Sequence, residues 1–285
     1  MGRRRSLWGR AWRRLYARGA ARWAGGALLV LLAVALVGPL VSPYRFDQLD
    51  WQHIASAPRL TGGHWLGTDR LGRDLFVRVA QGTRLSLLIG ASATALSALI
   101  GIAWGALAGT LGGRADGMMM RAVDVLSALP YLFLVIALTT VLGRGNPYVL
   151  LATVGAVGWL TLARIVRGQT LALRRRDFML AALTSGATPA HIVTRHVVPN
   201  VLGPVIAYAT LMLPQMILFE SFLSFLGLGV QEPLASLGSL IREGAREMQA
   251  APWMLLAPGG VMLTLLIACG VLGDALREAL DPRES

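Results

Sequence analysis

Residues 177–200, DFMLAALTSGATPAHIVTRHVVPN, form a polar and regularly punctuated stretch within a chain of long apolar runs. Asp177 can cap a helix by accepting hydrogen bonds from its first amides, and Gly186 suits the left-handed position just past a helix end. Thr188 and the proline after it restart a helix as N-cap and first-turn residue, and Pro199 ends this second helix. The pattern predicts two short helices joined by a tight, defined corner.

The composition on either side of this hairpin is that of a membrane protein. The chain has 285 residues, of which 55% are hydrophobic and 15% charged. A membrane helix needs about 20 mostly apolar residues, and six segments meet that need. We therefore predict an all-α polytopic membrane protein with six transmembrane helices, at 24–41, 84–111, 119–142, 148–166, 201–222 and 253–273.

The basic residues predict how these spans are oriented. All 27 are Arg, and 18 of them fall in the tails and loops of one side if the first span starts in the cytoplasm. The positive-inside rule then places both termini and the hairpin in the cytoplasm. The basic N-terminal tail adjoins a span and lacks interleaved aromatic residues, so it indicates membrane orientation rather than nucleic-acid binding.

Residue types that are absent or isolated exclude several chemistries. With no Lys in the chain there is no P-loop Lys to reach a nucleotide's terminal phosphates, so ATP chemistry would come from a partner. Cys269 is the only cysteine, which excludes an intrachain disulfide. His191 and His196 are five residues apart with no acid between them, unlike the zinc-protease spacing. We expect no catalytic residue and no metal ligand.

Two long loops are predicted on the outer side. In residues 42–83, Thr68 or Asp69 could cap a short helix whose apolar stripe lies on the membrane surface, with Arg on its other side. Residues 223–252 combine Gly-rich turns with one polar helix. This second loop could plug, gate or dock something, or could be a plain connector.

Packing signals inside the spans are those of a helical bundle. Three glycines in the second span, Gly101, Gly105 and Gly109, recur every fourth residue and would let another helix approach closely. Pro130 and Pro214 predict kinks in the third and fifth spans. The three-residue spacing of Arg121 and Asp124 predicts an ion pair at the membrane interface.

One ionisable residue, Glu220, lies near the outer end of the fifth span. It is a candidate for the translocation pathway, although packing and capping are alternative roles. Ion-coupled carriers usually have several ionisable groups at mid-membrane depth. Their scarcity here makes an ion-driven carrier a weaker hypothesis than a transporter driven by a partner.

The hairpin resembles the "EAA" loop of binding-protein-dependent ABC transporter permeases. In that loop the letters E-A-A are followed by a glycine and a later proline, matched here by Ala181, Ala182, Gly186 and Pro199. Leu180 stands where the family has Glu. If Asp177 is the N-cap, this change removes the second half of a capping box and costs up to about 1 kcal/mol of local helix stability.

Further stretches extend the resemblance over nearly the whole chain. HWLGTDRLGRDLFVRVAQG, ARIVRGQTL and ILFESFLSFLGLGVQEPL are similar to the peptide and nickel group of these permeases, most of all to its oligopeptide members. The resemblance implies a type I, MetI-like importer permease in the bacterial cytoplasmic (inner) membrane. It divides the chain into residues 1–83, with the basic tail, first span and outer loop, and a permease core, 84–285, with its coupling loop at 167–200.

The resemblance also implies a complex. Its other members would be a second homologous permease, two cytoplasmic ABC ATPases that bind ATP and Mg²⁺, and an extracytoplasmic peptide-binding protein; this chain would carry no cofactor itself. The residues expected to couple ATP hydrolysis to transport are Arg167, Leu180, Ala181, Ala182, Gly186, Ala187, His191, Arg195 and Pro199. Dipeptide, nickel or glutathione substrates remain alternatives, as do an ion-driven carrier and a membrane receptor or scaffold.

Overall fold

The computed structural model describes residues 18–59 and 63–280, and within these ranges it is helical with no β-strand. Most of the predicted N-terminal basic tail lies outside the described residues. The elements in chain order are α1 (Gly19–Val41), α2 (Leu75–Leu111), α3 (Gly113–Ala128), α4 (Tyr131–Leu142), α5 (Pro147–Leu173), α6 (Asp177–Thr184), α7 (Pro189–Ile192), a π-helix (Val193–Val197), α8 (Val198–Phe225), α9 (Leu237–Arg246) and α10 (Trp253–Leu280).

The predicted spans correspond to the long helices of the structure. In the described ranges five helical runs are long and apolar enough to cross a membrane, and α3 with α4 makes a sixth crossing if the bent pair is counted as one span. Several helices extend past the predicted apolar segments, most clearly α2, which begins nine residues before the predicted start at 84. The predicted domain division at residue 83 therefore falls inside a helix.

The third span is broken rather than kinked. The axes of α3 and α4 differ by 89° across the break. Leu129 has an extended backbone, with φ −78° and ψ 136°, because the ring of Pro130 disfavours helical geometry in the residue before it. Pro214, in contrast, lies within the uninterrupted helix α8.

The glycine stripe of α2 forms a close helix contact in the bundle. A Cβ at Gly101 would lie 2.6 Å from the Leu162 Cβ, and one at Gly109 would lie 2.6 Å from the Thr170 Cβ. Between them, a Cβ at Gly105 would lie 2.8 Å from the Val166 Cβ. These distances confirm the predicted close approach and identify α5 as the partner helix.

The two ends of the bundle meet on one side. Arg18, at the start of α1, forms an ion pair with Glu278, in the last turns of α10. The first and last helices therefore begin and end on the same side, as an even number of crossings requires. That this side is the cytoplasmic one stays a prediction.

The predicted surface helix in the first outer loop is absent from the described residues, and that prediction was wrong. The helix begins at Leu75 with Asp74 as its N-cap, whose carboxylate accepts a hydrogen bond from the Val77 N–H at 2.9 Å, and it continues directly into the span. Thr68 and Asp69 are buried in the preceding loop, where Thr68 forms an isolated β-bridge with Asp74.

Candidate functional site

The hairpin corner has the predicted geometry. Gly186 has φ +75°, a left-handed conformation that glycine adopts without steric cost. The Ala187 N–H donates to the Ala182 carbonyl at 3.1 Å, which is the closing bond of a Schellman motif. Thr188 then caps α7 by accepting a hydrogen bond from the His191 N–H at 3.3 Å. The end of one helix and the start of the next are thus both fixed.

The start of α6 differs from the prediction. The Arg176 carbonyl accepts the first helical hydrogen bond, from the Leu180 N–H at 3.1 Å, so Arg176 occupies the N-cap position and Asp177 is the first helical residue. Leu180 is then the fourth residue of the helix and not the third. A capping box between Asp177 and residue 180 is excluded, and Leu180 alters the exposed surface of the helix instead.

The second arm of the hairpin does not end at Pro199, and this prediction was also wrong. Residues 189–225 form one continuous helical run through α7, the π-helix and α8. Pro199 lies in the first turn of α8, and the Val198 N–H donates to the Val193 carbonyl five residues back. The π-helix lets the chain accept a proline, which has no N–H to donate, without breaking the helix.

One side of the hairpin is anchored to the bundle by apolar packing. Met179 from α6 and Val197 from the π-helix are fully buried, and Ile192 is 2% exposed. They pack in one cluster with Leu162 and Val166 of α5. The two arms of the hairpin therefore pack against the same membrane span.

The opposite side of the hairpin is exposed and partly apolar. Leu180 is 49% exposed and Phe178 44%. Most of the predicted coupling residues share this accessibility: Ala181, Gly186, His191, Arg195 and Pro199 are exposed, whereas Ala182 and Ala187 are half-buried. The predicted residues within the hairpin are thus at least partly accessible.

Arg167 lies apart from this exposed surface. Its guanidinium forms a bidentate ion pair with Asp116 of α3, at 2.6 and 2.7 Å. Asp124 of the same helix pairs with Arg164 at 3.1 Å, so the predicted pair of Arg121 with Asp124 is wrong. Two α5 arginines therefore hold α3 against the bundle just beyond the hairpin.

Glu220 is enclosed within the chain. Its carboxylate accepts hydrogen bonds from the hydroxyls of Ser86 at 2.7 Å, Ser224 at 2.8 Å and Ser221 at 3.1 Å, and the residue is fully buried. Ser86 also accepts a hydrogen bond from the Leu237 N–H at 3.2 Å. This arrangement joins α2, α8 and the start of α9, while a pathway role for Glu220 stays a prediction.

A cavity of about 530 Å³ lies at the elbow of the broken span. Tyr131 stands at its edge, with its hydroxyl donating to the Val154 carbonyl at 3.0 Å and its ring 4.3 Å from that of Phe219. Met212, Gln215 and other side chains of α5 and α8 complete the lining. The lining is mainly apolar with a few polar groups.

The two outer loops are tied together by a buried ionic cluster that the sequence did not reveal. Arg78 is fully buried and pairs with Asp69 and, at 2.8 Å, with Glu243 of α9. Arg73 pairs with Asp69 at 2.6 Å and with Glu232 at 3.2 Å. Although burial alone would lower the pKa of Arg73, the neighbouring carboxylates raise it above its ordinary value.

Comparison with known proteins gives matches along most of the chain. The family model of the binding-protein-dependent transport system inner membrane component matches residues 101–285, and that of the N-terminal TM domain of oligopeptide transport permease C matches residues 6–58. The oligopeptide transport system permease protein OppC of Escherichia coli (strain K12) is 47% identical, covering 98% of this chain and 92% of that protein. The dipeptide transport system permease protein DppC of Bacillus subtilis (strain 168) is 40% identical, covering 96% and 85%.

An all-helical bundle of apolar spans defines a polytopic membrane protein. The family match identifies which kind of polytopic membrane protein this is. The chain belongs to the family of binding-protein-dependent transport system inner membrane components, and it is an inner-membrane protein.

Proposed function

We propose that this chain is a membrane-spanning permease subunit of an ATP-driven importer of oligopeptides. The observation that carries the proposal is the hairpin at 177–200, whose corner is fixed by Gly186 and Thr188 and whose exposed side offers Leu180 and Phe178 to a partner. The chain has no Lys and hence no P-loop of its own. A soluble ATPase docked at this corner would supply the nucleotide chemistry.

The proposed complex contains a second homologous permease, two cytoplasmic ABC ATPases that bind ATP and Mg²⁺, and an extracytoplasmic peptide-binding protein. Closure of the ATPase dimer would push on the hairpin, and its apolar cluster with Leu162 and Val166 would pass that movement to the spans. Rearrangement of the spans would then alternate access to a path between the two permeases. The elbow cavity beside Tyr131 would form part of the wall of that path.

Oligopeptides are the first candidate substrate, because the E. coli OppC protein, whose name describes oligopeptide transport, is 47% identical to this chain. Dipeptides are the second candidate, since the Bacillus subtilis dipeptide permease DppC is 40% identical over nearly the whole chain.

The test is purification of the tagged chain in mild detergent from its native host, followed by mass spectrometry and reconstitution. We expect a second permease and two P-loop ATPases to copurify. The reconstituted complex, supplied with the peptide-binding protein, should take up labelled tri- to pentapeptides when ATP is present on the hairpin side.

Three results would contradict the proposal in different ways. Recovery of the chain alone with uptake driven by a proton gradient would indicate an ion-driven carrier, and recovery of a soluble partner that is not an ATPase would indicate a scaffold. Uptake of dipeptides in preference to longer peptides would support the importer function but contradict the oligopeptide assignment.

A further inference from the structure

Three side chains of the first outer loop converge on one point. Asp50, His53 and His64 each offer a ligand atom, and these atoms all lie within 4.8 Å of one another. His64 is 5% exposed, and the other two are half-buried. The loop that carries them lies next to the start of α2 but takes no part in the proposed docking of an ATPase.

The His64 ring is held in a fixed orientation. Its Nδ1 lies 2.9 Å from the buried Asp74 carboxylate, and its face stacks on the Tyr44 ring with centroids 4.2 Å apart. A carboxylate only accepts hydrogen bonds, so Nδ1 carries a proton, and in the neutral form of the ring Nε2 then has a free lone pair. A carboxylate on the remote nitrogen is the usual second-shell support of a metal-binding histidine.

The Nε2 atom of His64 faces another electron-rich group. It is buried without a hydrogen-bond partner among the residues that the structure describes, and its charged neighbour is the Asp50 Oδ2 at 3.9 Å. Two acceptors directed at one point repel each other unless a cation lies between them. Asp50 also accepts hydrogen bonds from the His53 ring at 2.8 Å and from the Gln52 amide at 3.0 Å.

We infer that Asp50, His53 and His64 form a binding site for one divalent cation of the zinc class. Two imidazoles and one carboxylate are a ligand set of zinc and neighbouring first-row metals, and three protein ligands leave one position for water. Ligands of a tetrahedral zinc lie about 3.4 Å apart, from Zn–N and Zn–O distances of about 2.1 Å. The three ligand atoms, all within 4.8 Å of one another, are already near this spacing.

The bound ion would link Asp50, His53 and His64 of the outer loop to the start of the second span. Asp74 makes this connection, because one of its oxygens supports His64 and the other caps α2 through the Val77 N–H. The role is structural and differs from transport of the metal. It is also independent of the proposed import of peptides, since it concerns the folded loop alone.

The experiment uses the full-length protein purified with a tag that contains no histidine and stripped with a chelator. Zinc is titrated against a chromophoric competitor, and cobalt is added separately to record the visible spectrum of a four-coordinate site. The chain has four histidines, and His191, on the hairpin, provides a matched control. Asp50→Asn and His53→Ala are the test variants, because neither residue caps a helix.

We expect one zinc ion per chain in the wild type and in His191→Ala. His53→Ala and Asp50→Asn should weaken binding at least tenfold, about the loss that removing even a second-shell partner causes. Zinc should also raise the thermal unfolding temperature of the wild type but not that of His53→Ala. Absence of stoichiometric binding by the wild type, equal affinity of His53→Ala, or loss of binding in His191→Ala would overturn the inference.

Discussion

Replacing Gly186 with valine tests whether the hairpin corner transmits force. The residue has φ +75°, and a Cβ placed on it would meet nothing within 4 Å. The cost of a side chain is therefore conformational and not steric. An L-residue in this region costs about 1–2 kcal/mol, and a β-branched one lies at the upper end. A penalty of 2 kcal/mol shifts the balance between formed and opened corner by about 30-fold.

The assay compares three variants for ATPase retention during purification and for ATP-driven peptide uptake in proteoliposomes. Gly186→Val should lose both in parallel while remaining inserted and folded. Gly186→Asn adds a side chain of similar size at the same position, but asparagine tolerates the left-handed conformation, so it should keep most of the activity. Gly168→Val introduces the same valine on α5, where a Cβ also meets nothing within 4 Å.

Two outcomes would refute the reasoning. Wild-type uptake and ATPase retention in Gly186→Val would show that the conformation of the corner does not matter. Equal loss in the valine and asparagine variants would show that the added side chain obstructs the partner, whatever its backbone preference.

Three further predictions concern other contacts. Gly105→Ala should destabilise the bundle by about 1–3 kcal/mol in denaturant titrations, because the new methyl overlaps α5. The control, Gly168→Ala, should be neutral or slightly stabilising. Equal stability of the two variants would contradict the packing argument. Glu243→Gln should cost about 3 kcal/mol, because it leaves the buried Arg78 with one carboxylate partner; an unchanged unfolding midpoint would refute this. Leu180→Glu should change ATPase affinity but alter hairpin stability by less than about 0.5 kcal/mol, and a large gain in stability would restore the capping-box interpretation.

The sequence predicted features that depend on local chemistry. The four-residue spacing of Gly101, Gly105 and Gly109 implied a close helix contact, and the combination of Gly186 with Thr188 implied a corner; both are in the structure. These predictions succeeded because helical periodicity and backbone preference act over a few residues. The partner helix, in contrast, could not be read from the stripe alone.

The failures have two causes, contacts between distant parts of the chain and a local change of helix type. Arg73 and Arg78 were expected on the polar side of a surface helix, but their carboxylate partners Glu232 and Glu243 lie about 160 residues further along. Pro199 was expected to end a helix, since proline usually does, and a π-helix accommodated it instead. The buried arginines are satisfied by carboxylates from a distant part of the chain, and the proline is accommodated by a change of helix type. Neither arrangement can be predicted from the residues next to them.

The helical run from 189 to 225 is unbroken and long enough to cross the membrane. Thirty-seven residues at about 1.5 Å each span about 55 Å, well beyond the roughly 30 Å hydrocarbon layer. One arm ends at the Thr188 corner, and the other carries Glu220, which is bonded to the outer loops through Ser86. If an ATPase docks at the hairpin as proposed, a tilt that starts there would reach the Glu220 end through one continuous helical run and not through a relay of loops.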